Sequence, residues 1–120
     1  VHPSAVRAAF RLFPGRVCLV SDALSACGMP EGEYMLGGQA IRVSGPRAML
    51  SDGTLAGSVA TLFDCMKNAV RFGVPAEEAV RAASHTPARV IGADGETGAI
   101  REGLAADLLF CGMDWELQAG

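Results

Sequence analysis

Asp22 stands at the end of a short apolar run, Val17-Cys18-Leu19-Val20, and opens into a segment of small residues that includes Ala23, Ser25, Ala26, Gly28 and Pro30. A carboxylate at the carboxyl end of a buried strand occupies the position where barrel and other α/β enzymes place their chemistry. Ionised there, it is costly unless a cation, a donor or a proton meets it. An Asp that caps the following turn satisfies the same pattern, and spacing alone does not choose between the two. A second segment, Asp52-Gly53-Thr54-Leu55-Ala56-Gly57-Ser58, leads small residues into a strongly helical pattern. Unpaired N–H groups at a helix start can meet a ligand where small residues allow close approach. Ser58 as a plain helix cap explains the same residues. The segment has neither the GxxxxGK[ST] of a P-loop nor the GxGxxG of a dinucleotide turn.

Other chemistry-bearing residues are sparse. His2 and His85 are too few and too far apart for a metal site of their own, and no Ser-His-Asp or Cys-His arrangement follows from the spacing. His85, between helical stretches, reads as a surface or helix-end residue. Cys18, Cys27, Cys65 and Cys111 form no CxxC and have no neighbouring His, so free thiols in a reducing cytoplasm are expected. Arg42, Arg47, Arg81 and Arg89 read as solvated or helix-terminal charges.

The elements that must position these residues alternate in the α/β manner. Ser4 to Phe13 has a helical face of Val6, Ala9, Phe10 and Phe13, stopped by Pro14-Gly15. Val17 to Val20 has the length and apolarity of a strand buried on both faces. Tyr34, Leu36, Ile41, Val43 and Leu50, interrupted by Gly37-Gly38 and Gly45-Pro46, read as short antiparallel strands. From Ser58 the helical period returns with Val59, Leu62, Phe63, Met66 and Val70, ending at Gly73. Met66 and Phe63 belong to that stripe and read as core. Pro75 starts a helix through Ser84, and Thr86-Pro87 caps a third that ends at Gly92. Leu108 to Cys111 reads as a strand after several glycine turns.

The 120 residues suit one domain or part of one, and 50% hydrophobic against 19% charged argues for a core rather than disorder. A net charge of −3 with no basic cluster gives no support to a nucleic-acid surface. No apolar run is long enough to span a bilayer, and no signal peptide is visible. The start at Val1-His2-Pro3 and the end at Gln118-Ala119-Gly120 read as those of a piece of a longer polypeptide.

Three blocks carry a resemblance: Leu19-Val20-Ser21-Asp22-Ala23 with Gly28 to Tyr34, then Asp52 to Ser58, then Ala83-Ser84-His85-Thr86-Pro87-Ala88-Arg89. Their order and spacing resemble the N-acetylglucosamine-6-phosphate deacetylase family of amidohydrolases. Gly98 to Gly103 leading to Ala106-Asp107-Leu108 resembles a tail that many amidohydrolases share, so the first two blocks are the specific part.

The resemblance implies an α/β fold: the C-terminal part of a (β/α)8 TIM-type barrel in residues 1–96, and part of a small β-sandwich domain in residues 97–120. Val17 to Val20 would be the last barrel strand. A complete barrel takes ~250 residues, so most strands and most metal ligands would lie upstream, and the chain alone is expected to be inactive. By the same resemblance Asp22 is the catalytic acid and base, and it is a candidate metal ligand. A divalent metal, zinc or similar, would be bound mostly by residues outside this chain and would activate the attacking water. Leu55, Ala56 and Gly57 would line the substrate pocket, and Tyr34 would sit on a rim element without an assigned role. The implied reaction is hydrolysis of the acetamide of N-acetylglucosamine 6-phosphate. The implied partners are that amino-sugar phosphate and, in the full-length protein, a second copy in a homodimer, with neither nucleic acid nor membrane. Another amidohydrolase acting on cyclic amides or other N-acyl sugars, or a non-catalytic α/β binding module, remains open at this point.

Overall fold

The computed structural model describes residues 1–45 and 47–118. The expected Gly45-Pro46 break and the terminal Gln118-Ala119-Gly120 involve Pro46, Ala119 and Gly120, which lie outside the described residues. The chain divides into two compact units. One comprises Val20–Cys65, and the other Val1–Leu19 with Met66–Gly120.

The unit Val20–Cys65 is an antiparallel meander of β1 (Gly32–Leu36), β2 (Gln39–Ser44), β3 (Arg47–Leu50) and β4 (Leu55–Ser58), in that order across the sheet. Leu36 pairs with Gln39 around Gly37 and Gly38, whose φ values of 56° and 84° fit a two-residue primed turn that glycine adopts without strain. Period-two alternation then sends Ile41 and Val43 of β2 inward, where they join Ala48 and Ala26 in the buried core. Leu24, Tyr34, Leu36, Leu50, Ala56 and Val59 pack around them. Tyr34 Oη donates to the Pro30 carbonyl at 2.7 Å, and Glu31 accepts from the Gly45 N–H at 2.7 Å. Tyr34 thus ties the entry to β1. Glu33 and Arg42 face each other across β1 and β2 at 3.7 Å, an exposed pair of little energetic weight.

The chain leaves β4 for α2 (Leu62–Arg71). The helix begins four residues later than Ser58, because Leu55–Ser58 is held by pairing with β3. Its cap is Thr61, not Ser58. Thr61 Oγ1 accepts from the Asp64 N–H at 3.1 Å, and the Asp64 carboxylate accepts from the Thr61 N–H at 3.1 Å and from its hydroxyl at 2.7 Å. This is a capping box with Asp in place of the usual Glu. Thr61→Ala removes it and is expected to lower stability by about 1 kcal/mol, read as a fall in the urea midpoint.

In the other unit, α1 (Pro3–Leu12), α3 (Ala76–Ala83) and α4 (His85–Val90) lie close to the boundaries their periodicity predicts. His2 caps α1, its Nδ1 accepting from the Ser4 N–H at 3.2 Å. Phe10, Met66, Ala69, Val74, Ala79, Ala82 and Ala88 are buried, so Met66 is core as expected. Thr86 does not cap α4; it is buried in the first turn, and Ser84 precedes the helix.

Two expected strands do not form ladders among the described residues. Val17 to Val20 is extended without a paired strand. Leu19 donates to the Ala82 carbonyl at 2.8 Å, and Val20 is 74% exposed rather than buried on both faces. A strand is buried on both faces where helices cover both sides of the sheet it belongs to, and among the described residues this segment belongs to no sheet. Leu108 to Phe110 is likewise irregular, with only an isolated antiparallel bridge between Cys111 and Leu117 beyond it.

Candidate active site

Asp22 and the Leu55–Gly57 segment meet in the unit Val20–Cys65. Ala23 forms an isolated parallel bridge with Ser58, and the Leu24 N–H donates to the Ser58 carbonyl at 2.8 Å. Asp22 is therefore the residue just before the point where this segment joins β4. Paired strands lie about 4.8 Å apart, so the two candidate segments run side by side although the chain travels through three strands between them.

Asp22 adopts φ 47°, left-handed backbone that Asp tolerates better than most residues. It is exposed, and its carboxylate makes no hydrogen bond or ion pair among the described residues. The turn-capping alternative is thus not what the structure shows: the turn after it closes by backbone bonds alone, from Cys27 to Leu24 and from Met29 to Ala26. Nor is the carboxylate desolvated, as a buried strand end would require. The result is a carboxylate held on strained backbone with no structural partner.

The opposite segment is a strand edge rather than a helix entrance. Ala48 pairs with Gly57 and Met49 with Leu55, which leaves Ala56 as the extra residue of a β-bulge. Bulges re-aim side chains and recur beside active sites. Leu55 is 62% exposed, while Ala56 and Gly57 are half-buried. Asp52, upstream, has a different task. Its carboxylate accepts from the Thr54 N–H at 2.8 Å, and that bond, with the Thr54 hydroxyl, holds it below the usual carboxylate range. It closes the β3–β4 turn.

Sequence reasoning missed Leu24. Its side chain lies against the Cα of Gly57, where an added Cβ would come within 2.8 Å of Leu24 Cγ and Cδ2. No local signal marks it. The four cysteines are free. Burial, then the neighbouring Asp64 carboxylate, pushes the Cys65 thiol up, which keeps it protonated and inert. No three His, Cys, Asp or Glu side chains come together among the described residues. Among the described residues no helix is long and apolar enough to cross a membrane.

The relatives narrow what an unpartnered Asp beside a bulged edge can belong to. Residues 43–117, more than half of the chain, match the amidohydrolase family, and the chain belongs to that family. It is 37% identical to the N-acetylglucosamine-6-phosphate deacetylase of Vibrio furnissii over 119 residues, 98% of this chain and 30% of that protein. It is 36% identical to the N-acetylgalactosamine-6-phosphate deacetylase of Escherichia coli O157:H7 over 110 residues, 91% of this chain and 29% of that protein. The crystal structure of N-acetylglucosamine-6-phosphate deacetylase from Pasteurella multocida superposes with a TM-score of 0.90 at 30% identity, covering 98% of this chain and 31% of that one. The chain thus spans about a third of the length of these three proteins.

Proposed function

We propose that this chain is the C-terminal portion of an N-acetylglucosamine-6-phosphate deacetylase, and that Asp22 is its general base and general acid. The observation that carries the reading is the bridge between Ala23 and Ser58, which sets an unpartnered Asp22 beside the bulged Leu55-Ala56-Gly57 edge. Residues 1–96 would complete the barrel, with Val17 to Val20 as its last strand, and residues 97–120 would belong to a small β-sandwich. The exposure of Val20, Leu109 and Phe110 supports partners for both segments in the complete enzyme.

In this reading Leu55, Ala56 and Gly57 form a wall against the sugar and its N-acetyl arm, with backbone groups as donors and acceptors and no bulky side chain in the way. Asp22 takes the proton of the attacking water as the C–O bond forms. It then delivers that proton to the nitrogen as the C–N bond breaks, leaving acetate and glucosamine 6-phosphate. A divalent metal, zinc or similar, belongs to the reading. Its ligands lie mostly outside this chain, with Asp22 as the one candidate ligand here. The complete enzyme is cytoplasmic and a homodimer whose neighbour helps to bind the phosphate.

The test is acetate release by the complete enzyme. N-acetylglucosamine 6-phosphate is expected to be hydrolysed with one acetate per amine formed and a higher kcat/KM than N-acetylgalactosamine 6-phosphate. The Escherichia coli relative makes the galacto sugar the second reading, and a reversed preference would establish it. Hydrolysis of cyclic amides with neither sugar phosphate turned over would overturn both.

A further inference from the structure

We propose that Leu24 is a positioning residue for Asp22, with its side chain seated on the bare Cα of Gly57 to set how the Asp22 segment lies against β4. The inference rests on Asp22 being the acid and base. Gly57 has no positive φ, so glycine is required there for space and not for backbone freedom. A Cβ at position 57 would lie 2.8 Å from Leu24 Cγ, 2.8 Å from Cδ2 and 3.0 Å from Cδ1. Real Cβ atoms do not approach so closely, so either the Leu24 side chain or one of the two segments would have to move.

Leu24 is poorly able to give way. Its side chain packs on the Ala26, Ile41, Val43 and Ala48 core, and its N–H is bonded to the Ser58 carbonyl. Displacement therefore passes into the backbone, and only Ala23 lies between Leu24 and Asp22. Asp22 already sits in left-handed backbone at φ 47°, a conformation that persists only while its surroundings impose it. Leu24 carries no group for proton transfer. Its contribution is to place the one residue that does, and proton transfer needs that carboxylate within hydrogen-bond reach of the water.

The experiment uses the complete enzyme with Gly57→Ala, Gly57→Ala/Leu24→Ala, Gly57→Ala/Leu24→Val and, as a reference, Asp22→Asn. Gly57→Ala is expected to lower kcat about 10- to 100-fold with little change in KM, the scale of a misplacement near 1 Å. Trimming Leu24 makes room for the new methyl group, so either double variant should recover most of the lost kcat. Wild-type kcat in Gly57→Ala overturns the proposal. So does a loss that neither double variant relieves, which would mean that the methyl group meets the substrate and not Leu24. Should neither double variant fold, the crystal structure of Gly57→Ala decides: a shifted Asp22 backbone supports the proposal, and a rotated Leu24 with Asp22 unmoved overturns it. Full activity in Asp22→Asn removes the underlying reading instead, so the two failures are distinct.

Discussion

If Asp22 is the acid and base we propose, Asp22→Asn in the complete enzyme is expected to lower kcat by about 10²- to 10⁴-fold, the range that general acid–base groups contribute. The substitution keeps the shape of the side chain and removes its charge, and with the charge the ability to take up and return a proton. Asp22 makes no side-chain hydrogen bond or ion pair among the described residues, so no bond to them is lost with its charge. The melting temperature should therefore stay close to that of the native protein, which separates loss of chemistry from loss of fold. KM should change less than kcat, because the proton is moved in the transition state and not on binding. A variant with native kcat would remove Asp22 from the reaction and return the chain to a ligand-binding role.

Gly98→Ala is expected to be the most destabilising single methyl addition in the unit Val1–Leu19 with Met66–Gly120. Gly98 has φ +91°, which costs an L-residue about 1–2 kcal/mol. A Cβ there would also meet Ala88 Cβ at 2.8 Å, the Ser84 carbonyl oxygen at 3.2 Å and His85 Cα at 3.3 Å. Two of those three atoms are backbone at the start of α4, so no rotamer change relieves the overlap. Overpacking of this kind adds about 1–3 kcal/mol. The combined effect, about 2–5 kcal/mol, should appear as a large fall in the urea midpoint. Gly95→Ala is the control. Gly95 has no positive φ and nothing within 4 Å of its added Cβ, so its effect should stay within about 0.5 kcal/mol. Equal effects at the two positions would show that Gly98 serves only as turn punctuation.

The candidate site was partly legible in the amino-acid sequence and partly hidden from it. Asp22 and Leu55-Ala56-Gly57 were each visible as motifs, because residue types in a short order carry a resemblance. Their juxtaposition was not visible, since it depends on a parallel bridge between Ala23 and Ser58, with the rest of the meander between them in the chain. Ser58 illustrates the limit. Local rules read it as a helix cap, yet pairing with Arg47 keeps it in β4 and leaves the cap to Thr61. Val17 to Val20 has strand composition, but ladder bonds need a neighbour that no local pattern can supply. Tyr34 had no assignable role until its hydroxyl was seen on the Pro30 carbonyl.

By itself the sequence determined what near neighbours decide: the helices α1 and α3, whose apolar period and flanking Pro and Gly act within a few residues, and the Gly37-Gly38 hairpin, whose positive φ only glycine adopts cheaply. It also determined the family, because ordered motifs survive without any fold being seen. Only the tertiary structure decided that Ala56 is a bulge, that Gly57 and Gly98 have no room for a Cβ, and that Asp22 lies beside β4. Each of these depends on atoms that strand pairing or packing brings together from separate elements, and such contacts leave no trace in local composition.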